Sequence, residues 1–118
     1  MRCRSLIAIV PLLFVLRAGT AHAHAFLDHA EPRVGNKVAN PPREVTLYFT
    51  QKLESAFSSV TVTGPTGQRV DAGKARVSGN QMSVSLRSGG TGTYQVNWHV
   101  LSADTHTTDG SFTFQVGP

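Results

Sequence analysis

Beyond residue 24 the apolar residues fall on alternate positions. Val45, Leu47 and Phe49 are separated by Thr46 and Tyr48, and Val60 by Thr61 from Val62. The same alternation runs through Met82, Val84 and Leu86, through Tyr94, Val96, Trp98 and Val100, and through Phe112, Phe114 and Val116. A period of two places one row of side chains on one face of an extended strand, so each run predicts a strand with a single buried face. No segment keeps a 3.6-residue apolar period for three turns, which excludes a helical domain. Asn40-Pro41-Pro42, Gly64-Pro65-Thr66-Gly67, Ser78-Gly79-Asn80 and Ser88-Gly89-Gly90-Thr91-Gly92 separate the runs with residues that suit turns and interrupt ladders. With weaker strands near Phe26 to Ala30 and Arg69 to Val77, the count is about seven. Seven short, half-buried strands in fewer than 100 residues predict an all-β fold, an immunoglobulin-like sandwich of two antiparallel sheets. A small closed barrel is the alternative architecture.

The first 23 residues carry a different pattern. Arg2 and Arg4 precede an apolar stretch from Leu6 to Leu16, and Ala21-His22-Ala23 fits the small-x-small rule for signal cleavage. The stretch is shorter than the roughly 20 residues that span a bilayer, and Arg17 interrupts it, so residues 1–23 are expected to be a secretory signal peptide in preference to an uncleaved anchor. The domain is then 24–118, a monomer located in the periplasm. Removal of the signal changes two further readings. The formal charge of +4 comes from 11 Lys+Arg against 7 Asp+Glu, and three of the cations, Arg2, Arg4 and Arg17, leave with the signal. The near-neutral remainder has no basic run, so no nucleic acid is expected as a partner. Cys3 is the one cysteine of the chain and also leaves, so the exported domain holds itself together by packing, with no internal disulfide.

Chemistry has few candidates. No Gly-x-Ser-x-Gly, no phosphate-binding glycine loop and no cysteine pair is present, which removes the hydrolase, nucleotide and zinc-ribbon readings. Histidines 24, 29, 99 and 106 remain. Cleavage after Ala23 makes His24 the N-terminal residue, whose α-amine and ring Nδ1 together form a compact chelate that an internal histidine cannot offer. In Asp104-Thr105-His106, extended backbone puts residues i and i+2 on one side, so a carboxylate and an imidazole can meet on one ion. That triplet also reads as a solvated polar loop, as His24 reads as an ordinary polar end residue if cleavage falls elsewhere. His99 alternates with Trp98 and is expected to face solvent, whereas Trp98 and Met82 belong to the core. His29 reads as a surface residue or a weak additional ligand.

Taken together, His24-Ala25-Phe26-Leu27, Glu31-Pro32, Leu47-Tyr48-Phe49-Thr50, Gly92-Thr93-Tyr94 through Trp98, Ser102-Ala103-Asp104-Thr105-His106 and Gly110-Ser111-Phe112 resemble the CopC family of periplasmic copper-resistance proteins. The resemblance spans nearly all of residues 24 to 118. It implies a Greek-key β-sandwich that binds Cu(II) through the amine and ring of His24, the Asp104 carboxylate and the His106 imidazole. Three nitrogens and one oxygen suit tetragonal Cu(II), which leads the divalent affinity order. Relatives that bind only Cu(II) often carry a glutamate after the Leu-x-Phe-Thr strand; Gln51 stands here instead, with Glu54 three residues on. The resemblance further implies copper sequestration or transfer to a CopD-like inner-membrane protein, which is expected to be a separate chain, and no enzymatic activity. Two other classes stay open at this point. One is a copper monooxygenase with a histidine brace, of the lytic polysaccharide type; the other is a metal-free sandwich acting as an interaction module.

Overall fold

Eight strands follow one another in the computed structural model, which describes residues 25–118; the expected signal, residues 1–23, and His24 lie outside the described residues. They are β1 (Leu27–Glu31), β2 (Lys37–Val38), β3 (Glu44–Phe49), β4 (Ser59–Thr63), β5 (Asp71–Ser78), β6 (Gln81–Leu86), β7 (Gly92–Leu101) and β8 (Thr107–Val116). They form two four-stranded sheets, ordered β1-β3-β6-β5 and β2-β8-β7-β4. Two distinct sheets make this an all-β sandwich and not the closed barrel. A short 3-10 turn, Ser55–Phe57, links β3 to β4. Among the described residues no helix is long and apolar enough to cross a membrane.

Seven of the strands correspond to the expected runs, and two differences have a physical cause. Strand β2 has only two residues, Lys37 and Val38, paired in parallel with Gln115 and Val116. Two residues are too few to display a period. Strand β8 begins at Thr107, five residues before its first large apolar side chain, because its early half pairs with the end of β7 in a ladder that runs from Gly92↔Val116 to Leu101↔Thr107. In that half the residue opposite Trp98 is Gly110, so the alternation vanishes where one large ring covers two positions.

Register carries the apolar faces inward. Val45 lies opposite Val84, Leu47 opposite Met82, Val62 opposite Val96, and Tyr94 opposite Phe114. Leu47, Met82, Val96, Tyr94 and Phe114 are completely buried. Met82 is therefore a core residue, as its alternation predicts. Burial of each such side chain is worth roughly 1.5–3 kcal/mol, which is how a fold without a disulfide in its described part is held. The aromatic contacts are specific. Phe49 meets Trp98 edge-on at 5.1 Å, joining the two sheets, and Tyr94 stacks on Phe114 at 5.1 Å. The buried Tyr94 hydroxyl donates to the Gly90 carbonyl at 2.6 Å, so its polar end is satisfied four residues upstream. Gly110 is required beneath Trp98: a Cβ there would stand 2.6 Å from Cζ2 of the ring.

Asp71 straps the two sheets together at the edge formed by β4 and β5. Its Oδ1 accepts from the Val62 backbone N–H at 3.0 Å and from Arg69 Nε at 2.6 Å, and its Oδ2 accepts from a second Arg69 nitrogen at 2.7 Å. The Arg69 guanidinium, aided by the Val62 N–H, holds this carboxyl at a pKa of about 2 against the opposing effect of burial. A carboxyl whose folded pKa lies below its unfolded value near 3.8 stabilises the fold fully above that value, and the contribution disappears as pH falls toward 2. Asp71→Asn is therefore expected to cost about 1–2 kcal/mol at neutral pH. The difference from the native protein should shrink as pH falls from about 4 to 2; urea unfolding at a series of pH values would reject this assignment if the gap stayed constant.

Candidate metal centre

The β7–β8 ladder closes at Leu101↔Thr107, so residues 102–106 must reverse the chain in five positions. They do so as a turn and not as the extended segment expected from the sequence. Thr105 takes φ of +72°, a left-handed conformation that costs a non-glycine residue on the order of 1–2 kcal/mol. Asp104 and His106 converge nonetheless, with His106 Nδ1 3.4 Å from Asp104 Oδ1. The reason is the tight reversal rather than a shared strand face. Both side chains are open to solvent, the imidazole more than half and the carboxylate about a third.

Ser102 organises this turn. It is completely buried, and its hydroxyl donates to Asp104 Oδ1 while standing 3.1 Å from the His106 carbonyl. The Ser102 N–H donates to the same carbonyl at 2.9 Å, the Thr105 N–H to the Ser102 carbonyl at 2.9 Å, and the His106 N–H to Asp104 Oδ1 at 3.3 Å. A small hydroxyl can satisfy donors and acceptors in a space too narrow for a larger polar group. The hydrogen bond from Ser102, with smaller effects from His106, keeps the Asp104 carboxyl below the usual carboxylate range. Asp104 is thus held as an anion, an acceptor oriented by the turn itself.

Two neighbouring segments brace the turn. The loop after β3 lies along it through backbone groups: Ala103 N–H donates to the Lys52 carbonyl at 2.9 Å, Glu54 N–H to the Leu101 carbonyl at 2.8 Å, and Leu53 pairs with Ser102. On the other side, the Thr108 hydroxyl donates to the Ala25 carbonyl at 2.6 Å, and Ala25 is completely buried. The chain at residue 25 is thereby tied to β8 two residues beyond His106. Phe26 is paired through its backbone with Thr50 at 3.0 and 2.9 Å. This end of the sandwich therefore gathers the start of the described chain, the end of β3 and the β7–β8 turn.

Among the described residues no cluster of three or more His, Cys, Asp or Glu side chains exists, so Asp104 and His106 stand as a pair and Glu54 does not join them. His24 lies outside the described residues. The remaining histidines are exposed. His29 stacks flat on Tyr48 at 4.3 Å, with its Nδ1 2.7 Å from the Asp28 carboxylate; His99 faces Asp109 across the β7–β8 ladder at 3.8 Å. The sequence marks Asp104 and His106 but assigns no role to Ser102 or Thr108, which the fold places beneath and beside them. A Ser two residues before an Asp is a local signal for side-chain hydrogen bonding in a turn. Nothing local marks Thr108, whose partner is 83 positions away.

Comparison with known proteins identifies the family and supports the fold. Residues 27–117 match the model of the CopC domain. The chain is 35% identical over 117 residues to protein YobA of Escherichia coli K12, covering 96% of this chain and 93% of that one. Its fold superposes on the crystal structure of CopC from Methylosinus trichosporium OB3b with a TM-score of 0.74 and 32% identity, over 80% of this chain and 95% of that one. PcoC of Escherichia coli, described as a methionine-rich copper resistance protein, superposes with a TM-score of 0.68 and 31% identity, over 80% of this chain and 99% of PcoC.

If Ser102 holds the carboxylate, Ser102→Ala should move the Asp104 pKa upward toward the ordinary carboxylate range. Carboxyl-carbon NMR titration measures this directly, and an unshifted Asp104 in a folded variant would assign its depression to another cause.

Proposed function

The chain belongs to the CopC family, and we propose that it is a periplasmic Cu(II)-binding protein that sequesters copper or passes it to a membrane partner. Copper is its cargo. The proposed ligands are His24, through its α-amine and ring, with Asp104 and His106. The domain is 24–118, released by cleavage of a signal at residues 1–23. The observation that carries the reading is that the Asp104–His106 pair and the anchored carbonyl of Ala25 meet at one end of the sandwich. Consecutive Cα atoms are about 3.8 Å apart, so a residue joined directly to Ala25 has little chain with which to stray from that end.

The donor set fits copper in its oxidised form. A nitrogen-rich set with one carboxylate oxygen suits a tetragonal divalent ion, whereas reduced copper favours thiolate and thioether ligands. Met82, the one methionine beyond Met1, is completely buried in the core and is not available as a thioether ligand. In this respect the chain differs from PcoC, whose description is methionine-rich. The pair also meets a simple distance condition. One metal–nitrogen and one metal–oxygen bond together span about 4.0–4.3 Å, so donors 3.4 Å apart can share an ion without moving the backbone. Four protein donors leave no position reserved for a substrate, which favours holding and release over catalysis. A partner that accepts the ion is a CopD-like inner-membrane protein in this reading.

Protein ending in a free His24 should bind Cu(II) tightly, and an added Met before His24 should weaken binding by several hundredfold or more, because the α-amine becomes an amide and leaves the chelate. Because each nitrogen must lose its proton to bind, affinity should fall as pH drops from 8 to 5. Asp104→Asn should weaken binding yet keep most of this dependence, whereas His106→Ala should weaken it and flatten the slope by about one proton. Competition titrations with a Cu(II) chelator measure all three; equal affinity in the Met-extended and processed forms would overturn the N-terminal chelate.

A further inference from the structure

The Asp104–His106 pair is not the sole carboxylate–imidazole pair on the β7–β8 hairpin. His99 and Asp109 occupy directly opposite positions of the same ladder, two rungs before its closing end, and both are exposed. Their donors, His99 Nδ1 and Asp109 Oδ2, lie 3.8 Å apart, too far for a hydrogen bond and open to solvent by half and by three quarters. We propose that His99 and Asp109 form a second, weaker site for a divalent first-row transition ion, Zn(II) or Cu(II), distinct from the one at the hairpin tip.

Three observations support it. The first is rigidity: the two residues sit in the interior of a ten-rung pairing, His99 between the core residues Trp98 and Val100, and Asp109 beside Thr108, which is half-buried and tied to the Ala25 carbonyl. Their Cβ atoms are held at the separation of a cross-strand pair, about 4.5–5.5 Å, which leaves only side-chain rotations to adjust. The second is distance: 3.8 Å is shorter than the sum of one metal–nitrogen and one metal–oxygen bond, so an ion can bridge the donors with a movement of less than about 1 Å. Third, among the described residues neither donor atom is engaged by a closer group. His29 offers the contrast, since its Nδ1 is already closed by Asp28 at 2.7 Å and its ring lies flat on Tyr48.

With two protein donors and water completing the shell, this site is weaker than a four-donor chelate and exchanges its ion readily. From the His99 rung to the closing Leu101 rung is two residues, about 7 Å along the strand. A loosely held ion therefore stands beside the turn that carries the proposed tight site. The hairpin would take two ions, the outer one exchanging with solvent.

The test uses the domain beginning at His24 and a Met-extended form, titrated with Zn(II) and separately with Cu(II), with His99 and His106 ring resonances followed by NMR for Zn(II) and isothermal calorimetry for both ions. The expected result is a second, weaker equivalent that perturbs His99 and survives Met extension and His106→Ala. His99→Ala and Asp109→Asn should each weaken it at least tenfold while leaving the first Cu(II) equivalent unchanged. Loss of the tight event alone on Met extension bears on the N-terminal chelate and not on this site. A single equivalent in every form, or a second equivalent that persists in His99→Ala, would overturn the proposal. If either substitution disturbs the sheet, seen by far-UV circular dichroism, His99→Gln keeps a polar side chain on the strand and should abolish the His99-dependent event in the same way.

Discussion

The ten-rung pairing of β7 with β8 is the constraint on which the candidate centre depends. It fixes Leu101 opposite Thr107 and leaves five residues to reverse the chain. A reversal that short forces Thr105 into the left-handed region and folds Asp104 back toward His106, an arrangement that the extended backbone of the strands would not produce. The ladder is itself secured from the inside. Trp98 covers Gly110, and Phe49 meets the same ring from the other sheet, so the strand pair that closes on the Asp104–His106 turn is pinned to the core by its largest side chain.

Rigidity of this kind suits metal binding because the cost of orienting ligands is met during folding. Ser102 supplies a buried hydroxyl that holds the Asp104 carboxylate, and backbone hydrogen bonds from Ala103 and Glu54 fasten the turn to the loop after β3. The side chains of the proposed ligands Asp104 and His106 remain exposed, while the groups that aim them are buried or backbone. Ala25 completes the arrangement from the other end of the described chain. Its carbonyl is held by Thr108, so the start of the described chain is anchored to β8 two residues beyond His106.

Charge and softness divide the molecule in the same manner. The interior contains the thioether of Met82 and the rings of Phe49, Tyr94, Trp98, Phe112 and Phe114. The imidazoles and most of the carboxylates lie outside, and two of the imidazoles face carboxylates on the β7–β8 hairpin. The described part of the protein presents hard and borderline donors to solvent and keeps the thioether of Met82 out of reach, the division on which the proposed preference for Cu(II) rests.

The alternation of apolar residues by itself determined the fold class and nearly all of the strands, because a period of two is a local property that each half-buried strand must display. The turn clusters were equally legible, since glycine and proline act through their own backbone. Asp104 and His106 could be singled out as a pair because they are two residues apart. What the sequence could not contain was how they meet, since the left-handed Thr105 follows from a ladder whose length depends on residues of both strands. Strand β2 was invisible because two residues carry no period, and the first half of β8 was hidden because Trp98 fills the place that a large residue at 110 would have marked. The roles of Thr108 and Asp71 were decided only in the folded state. Each acts on a backbone group of another strand or segment, Ala25 in one case and Val62 in the other, and such a contact leaves no trace along the chain.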